Sequence, residues 1–249
     1  MPLDRGLRFG MSVFETIAVH TGRRVFLAEH MQRLRRAALE LLEVDASSLC
    51  DEAIAITEAW LSQAEGVLRI YITAGPGGLC DPCSEPAGFA LFEECPVTAG
   101  PGAGRRIDFA RAPFSPVPGG WKTGNYWQNI RALKEARHRG LDETVLLDWQ
   151  GLVVGCACAN LFAVQAGRLV TPALACGARP GVVREWIIAR TGCGEVALTG
   201  DELVASEEIF FTNSRVGIAG VTSLAGKELE GSPFAESLAR DYEFEVLRG

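Results

Sequence analysis

Residues 121–162 read WKTGNYWQNIRALKEARHRGLDETVLLDWQGLVVGCACANLF. Lys122 follows the breaker-rich segment 113–120, PFSPVPGG. A helical pattern comes next: Ile130, Leu133 and Ala136 recur at three, and Glu135 and Arg139 are four apart. Gly140 closes it, after a last turn carrying Arg137, His138 and Arg139. Residues 143–148 then read as a buried strand, 149–151 as a turn and 152–154 as its partner, and Asn160 leads into a third apolar run at 161–164. By spacing alone Lys122 is a loop lysine on the surface. The alternative is a lysine at the edge of an apolar core, where partial desolvation lowers the amine's pKa and makes it a nucleophile toward an aldehyde.

Working outward, residues 4–10 form a polar turn, 13–19 and 25–27 short strands, and 28–42 an amphipathic helix with Met31, Leu34, Ala38 and Leu41 on one face. A second helix is expected near 51–64 and a strand at 67–73. A loop of Gly, Pro and Cys follows at 75–88, and strands at 89–92 and 107–111 close the first half. The proline-rich stretch marks a boundary, giving an N-terminal domain at 1–112, a linker at 113–120 and a C-terminal domain at 121–249. Beyond 162 a strand is expected at 168–171, a helix at 183–191 opened by Pro180 and Gly181, a strand at 209–211 ending in Thr212-Asn213-Ser214, a strand at 221–224 and a helix at 234–242. Backbone N–H groups exposed at a helix start, as at Gly181, Val182 and Val183, can hold a phosphate; the alternative is an ordinary loop-to-helix turn.

With 249 residues, 48% of them hydrophobic, the chain can build one large domain or two small ones. A net charge of −7 argues against non-specific nucleic-acid binding. No apolar run reaches membrane-spanning length, and the N-terminus lacks the apolar core of a signal peptide, so a cytoplasmic location is the expectation. The eight cysteines are then expected to be reduced. Cys80 and Cys83 have ligand spacing, but Cys156 and Cys158 make a poor second half and His20, His30 and His138 form no pair, so no metal site is expected.

The central stretch resembles the class IV aminotransferases, the superfamily of branched-chain aminotransferases, D-amino acid aminotransferases and aminodeoxychorismate lyases. The resemblance rests on Lys122 with Asn125 three residues on, the helix end Glu135-Ala136-Arg137-His138-Arg139-Gly140, the hairpin from Asp148 to Gly155, and Asn160-Leu161-Phe162. It extends from about Asp4 to Lys227: Asp4-Arg5-Gly6, Phe9-Gly10 and Phe14-Glu15-Thr16 resemble the family's opening motif, and His30-Met31-Gln32-Arg33-Leu34 its phosphate helix.

The resemblance implies an α/β (α+β) two-domain fold with pyridoxal 5′-phosphate at the domain interface. Lys122 would carry the cofactor as an imine and move the substrate's α-proton. Arg33, Gly181, Val182, Val183, Asn213 and Ser214 would hold the phosphate, and Tyr126 would lie near the cofactor oxygen. Two positions depart from the family: Val183 replaces a threonine, and Gly155 replaces the glutamate that keeps a proton on the pyridine nitrogen. The implied function is a lyase releasing pyruvate from aminodeoxychorismate to leave 4-aminobenzoate for folate synthesis. The alternatives are a transaminase of branched-chain or D-amino acids, which Tyr126 favours, and a cofactor-poor, non-catalytic member of the fold. A homodimer acting on a small-molecule substrate is the implied assembly.

Overall fold

A computed structural model describes residues 3–97 and 104–247. The chain packs as two compact units, Met1–Val97 with Trp121–Tyr126, and Thr98–Gly120 with Trp127–Gly249.

The first unit is an antiparallel sheet backed by helices. Its strands are β1 (Ser12–His20), β2 (Arg23–Arg24), β3 (Gly66–Thr73) and β4 (Ala87–Glu94), in the order β2-β1-β3-β4. Helices α1 (Arg5–Phe9), α2 (Leu27–Leu42) and α3 (Ser47–Glu58) complete it. Alternation along the strands sends Val13, Ile17, Leu68, Ile70 and Ile72 into one core with Met31, Leu34 and Ala38 of α2. The residues expected to be a polar turn instead form α1. Asp4 accepts the Gly6 N–H at 2.6 Å as N-cap, and Gly10 ends the helix at φ +69°. Arg5 is wholly buried, and its guanidinium donates to the carbonyls of Ala74, Gly75 and Asp81, which fixes the loop carrying Cys80 and Cys83.

The second unit holds β5 (Arg105–Phe109), β6 (Glu143–Leu147), β7 (Val153–Cys156), β8 (Asn160–Gln165), β9 (Arg168–Pro172), β10 (Gly194–Val196), β11 (Glu208–Asn213), β12 (Gly217–Leu224) and β13 (Lys227–Glu228). They form one sheet in the order β10-β9-β8-β11-β12-β5-β6-β7, with β13 paired to β12. Its helices are α4 (Trp127–His138), α5 (Val182–Thr191), α6 (Gly200–Ala205) and α7 (Pro233–Tyr242). Val145, Val153, Leu161, Ile209 and Val221 centre its core.

Two assignments change. Strand β5 was expected to close the first half, yet it runs parallel between β12 and β6 and belongs to the second sheet. Residues 121–126 were expected to open the second half, yet they pack in the first unit. Parallel pairing and the return of a short segment are non-local, so chain order misplaces both. Among the described residues no helix is long and apolar enough to cross a membrane.

Candidate active site

Lys122 is placed by its neighbours in sequence. The Trp121 ring sits in the first unit's core, donates its Nε1–H to Glu40 at 3.1 Å and lies under the Arg36 guanidinium. The backbone then runs along β1: the Phe14 N–H donates to the Lys122 carbonyl, Val13 bridges Thr123, and the Gly124 N–H donates to the Ser12 carbonyl. Gly124 must be small there, because a Cβ would meet Ser12 Oγ at 2.3 Å. The half-buried Lys122 side chain puts Nζ 4.4 Å from the Phe14 ring centre and 5.1 Å from that of Tyr126, and these rings meet edge to face. Phe14 also stacks on Tyr71, and Tyr71 on Phe89, across three adjacent strands. An amine held over aromatic faces has a defined position and a partly apolar environment.

Arg33 differs from the two other arginines that follow it on α2. Arg35 and Arg36 pair with Asp51 and Glu40 at side-chain exposures of 36% and 70%, whereas Arg33 is 14% exposed. Its Nε and Nη2 donate to the two oxygens of Glu15, both at 2.6 Å. The buried His30 bonds the same carboxylate through Nδ1 at 2.8 Å. Burial works against the Glu15 anion, but Arg33 and His30 outweigh it and hold the carboxyl far below its ordinary range. Burial also lowers the His30 pKa, so the neutral ring donates Nδ1–H to Glu15. Glu15 and His30 belong to this cluster, and sequence reading assigned neither a role.

In the second unit three segments are tied together. The turn from Gly155 to Asn160 is held by Asn129 Nδ2 on the Ala157 carbonyl and by the Cys158 N–H on Glu143 Oε1. Asn160 Nδ2 donates to the Arg179 carbonyl, joining this turn to the start of α5. Gly181 admits that side chain, since a Cβ would meet Asn160 Oδ1 at 1.9 Å. Asn213 Nδ2 donates to the Cys158 carbonyl, while its Oδ1 accepts the N–H groups of Arg215 and Val216. Asn213 therefore shapes the turn that carries Ser214, and its side chain is committed to protein partners.

At α5 the N-cap is Gly181, which has no side chain to cap the first turn. The N–H groups of Val182 and Val183 lack intrahelical acceptors, so this end favours an anion. Arg184 points elsewhere, with Nη2 on the Pro172 carbonyl and on Glu195. Gly155 stands at φ +146°, a conformation that L side chains rarely adopt. Cys156 is buried and its pKa is pushed well up by desolvation, so it stays a neutral thiol. None of the eight cysteines is in a disulfide, and among the described residues no His, Cys, Asp and Glu side chains group to hold a metal ion.

Each unit by itself holds groups whose chemistry suits pyridoxal phosphate: the first a lysine amine over aromatic rings and a partly buried, oriented guanidinium, the second a helix start without a side-chain cap and a hydroxyl-bearing turn.

The comparisons agree. The family model for amino-transferase class IV matches residues 12–224. The branched-chain-amino-acid aminotransferase of Escherichia coli is 29% identical over 248 residues, covering 90% of this chain and 79% of that one. The structure of the branched-chain aminotransferase of Thermoproteus uzoniensis superposes with a TM-score of 0.86 at 26% identity, over 100% of this chain and 89% of that one. The 4-amino-4-deoxychorismate lyase of Pseudomonas aeruginosa gives a TM-score of 0.85 at 26% identity, over 99% and 95%. The chain belongs to the class IV aminotransferases, enzymes that use pyridoxal phosphate as an aminotransferase or a lyase.

Proposed function

We propose that this protein is an aminodeoxychorismate lyase, releasing pyruvate and leaving 4-aminobenzoate. Bound pyridoxal phosphate supplies an electron sink for the carbon next to the substrate's amine. Lys122 holds the cofactor through Nζ and afterwards takes and returns the substrate proton, held over Phe14 and Tyr126. By the family resemblance, the phosphate ligands are Arg33, the N–H groups of Val182 and Val183, and the Ser214 hydroxyl.

The observation that carries the lyase assignment is Gly155. By resemblance it occupies the position of the glutamate that supports charge on the ring nitrogen, and its φ of +146° goes with the absence of a side chain. A ring without that carboxylate is a weaker sink. The reaction best served is then one with its own driving force, and eliminating pyruvate makes the substrate ring aromatic. The second reading, a transaminase, is favoured by the 29% identity to the Escherichia coli branched-chain enzyme. The test is pyruvate release from aminodeoxychorismate with no keto acid present. Turnover of amino acids that starts only when a keto acid is added reverses the assignment.

A further inference from the structure

The Glu15 carboxylate is 2% exposed and binds both Nε and Nη2 of Arg33 at 2.6 Å, while His30 Nδ1 braces it at 2.8 Å. β1 supplies Glu15, and α2 supplies His30 and Arg33, one turn apart on a single helix face. A buried pair of this kind is a poor device for stability alone, since well-packed apolar residues often do as well. What the geometry does provide is orientation. Two parallel hydrogen bonds to one carboxylate fix the guanidinium plane and stop its rotation about the Cδ–Nε bond. Without them the long arginine side chain keeps its rotamer freedom, which binding a phosphate would then have to remove.

We propose that Glu15 is a positioning residue for phosphate recognition: it locks the Arg33 guanidinium, with His30 bracing the carboxylate, so that the cofactor's phosphate meets a donor already oriented. This rests on the assignment of Arg33 as a phosphate ligand. The opposite expectation is also physical. If Glu15 merely offsets the charge of Arg33, neutralising it strengthens the attraction for a phosphate.

The two are separated with the full chain freed of cofactor, measuring equilibrium affinity for pyridoxal phosphate and for pyridoxal, which has the same ring and aldehyde but no phosphate. The ratio of the two affinities isolates the phosphate. Glu15→Gln keeps a similar shape but cannot accept both donors, and is expected to lower the ratio about tenfold through lost preorganisation. Arg33→Gln should lower it about a hundredfold, and adding Glu15→Gln to it should cost little more, as for residues that act as a unit. An unchanged or raised ratio in Glu15→Gln overturns the proposal. An unchanged ratio in Arg33→Gln instead sinks the phosphate assignment itself. If Glu15→Gln does not fold, Glu15→Asp, which keeps the charge on a shorter arm, is read by the same ratio. In the unaltered protein, the two Arg33 Nη groups should give separate, slowly rotating ¹⁵N signals before any ligand is added. A single averaged signal that splits only when inorganic phosphate is present contradicts the proposal.

Discussion

Glu143 and Gly155 are single residues whose environments set measurable quantities. Burial raises the Glu143 pKa from 4.5 to about 7, despite the bond from the Cys158 N–H. The folded state therefore keeps a proton that the unfolded state releases between these values. Stability from this group is present below pH 4.5, falls as pH rises, and is lost above 7, by an amount on the order of 3 kcal/mol. Glu143→Gln retains an oxygen for the Cys158 N–H and should remove that slope. Denaturant melts at pH 5 and pH 8 should show the variant gaining on the parent at pH 8; parallel pH dependence in both would show Glu143 to be ionised throughout. Gly155→Ala should destabilise by about 1–3 kcal/mol, because alanine at that φ is strained and its Cβ comes 3.2 Å from the Ala159 carbonyl oxygen. A melt within 0.5 °C of the parent would mean that the turn relaxes freely. Gly155→Glu carries the same strain, so it is a poor route to a stronger electron sink. In sequence, Lys122 stands out through the family resemblance and the start of α5 through its Pro-Gly pair, and the structure begins the helix at Val182 behind Gly181. Glu15 and His30 do not stand out, since a strand acid and a helix histidine fifteen residues apart meet only when α2 packs on β1.

At the scale of elements, the segment 121–124 positions the amine. It is short, irregular and fastened at one end by Trp121, 6% exposed, and at the other by pairing to β1. Trp121→Ala should cost about 3–5 kcal/mol of unfolding free energy in the first unit. Even below the melting transition it should weaken binding of pyridoxal as much as of pyridoxal phosphate, since it moves the amine and leaves the Arg33 cluster in place. Equal losses are the check; a loss confined to pyridoxal phosphate would place Trp121 with the phosphate machinery instead. Long periodic elements such as α2, α5 and α7 were legible within a few residues. The six-residue α6 was missed, although Thr199 and Glu202 form a capping box there, because one and a half turns give no apolar repeat. Strand β5 was recognisable as a strand, but nothing local says that its partners are β6 and β12.

At the scale of the whole molecule, the class IV family and its α/β architecture were legible before any coordinate, since the motifs span most of the chain. Quaternary structure is a prediction. Phe89 and Leu91 leave 41% and 52% of their area exposed on β4, at the end of the Phe14–Tyr71–Phe89 stack. A homodimer is expected, as closed two-fold assembly is the commonest way to cover such a surface. Sedimentation at micromolar concentration should show about twice 26.8 kDa, and a species at 26.8 kDa alone would exclude it. This chain is expected to carry pyridoxal phosphate on Lys122, and borohydride reduction of the cofactor-loaded protein followed by peptide mapping tests that directly. One phosphopyridoxyl group is expected, on the peptide containing Lys122; label on another lysine, or no label after loading with cofactor, would rule Lys122 out as the carrier.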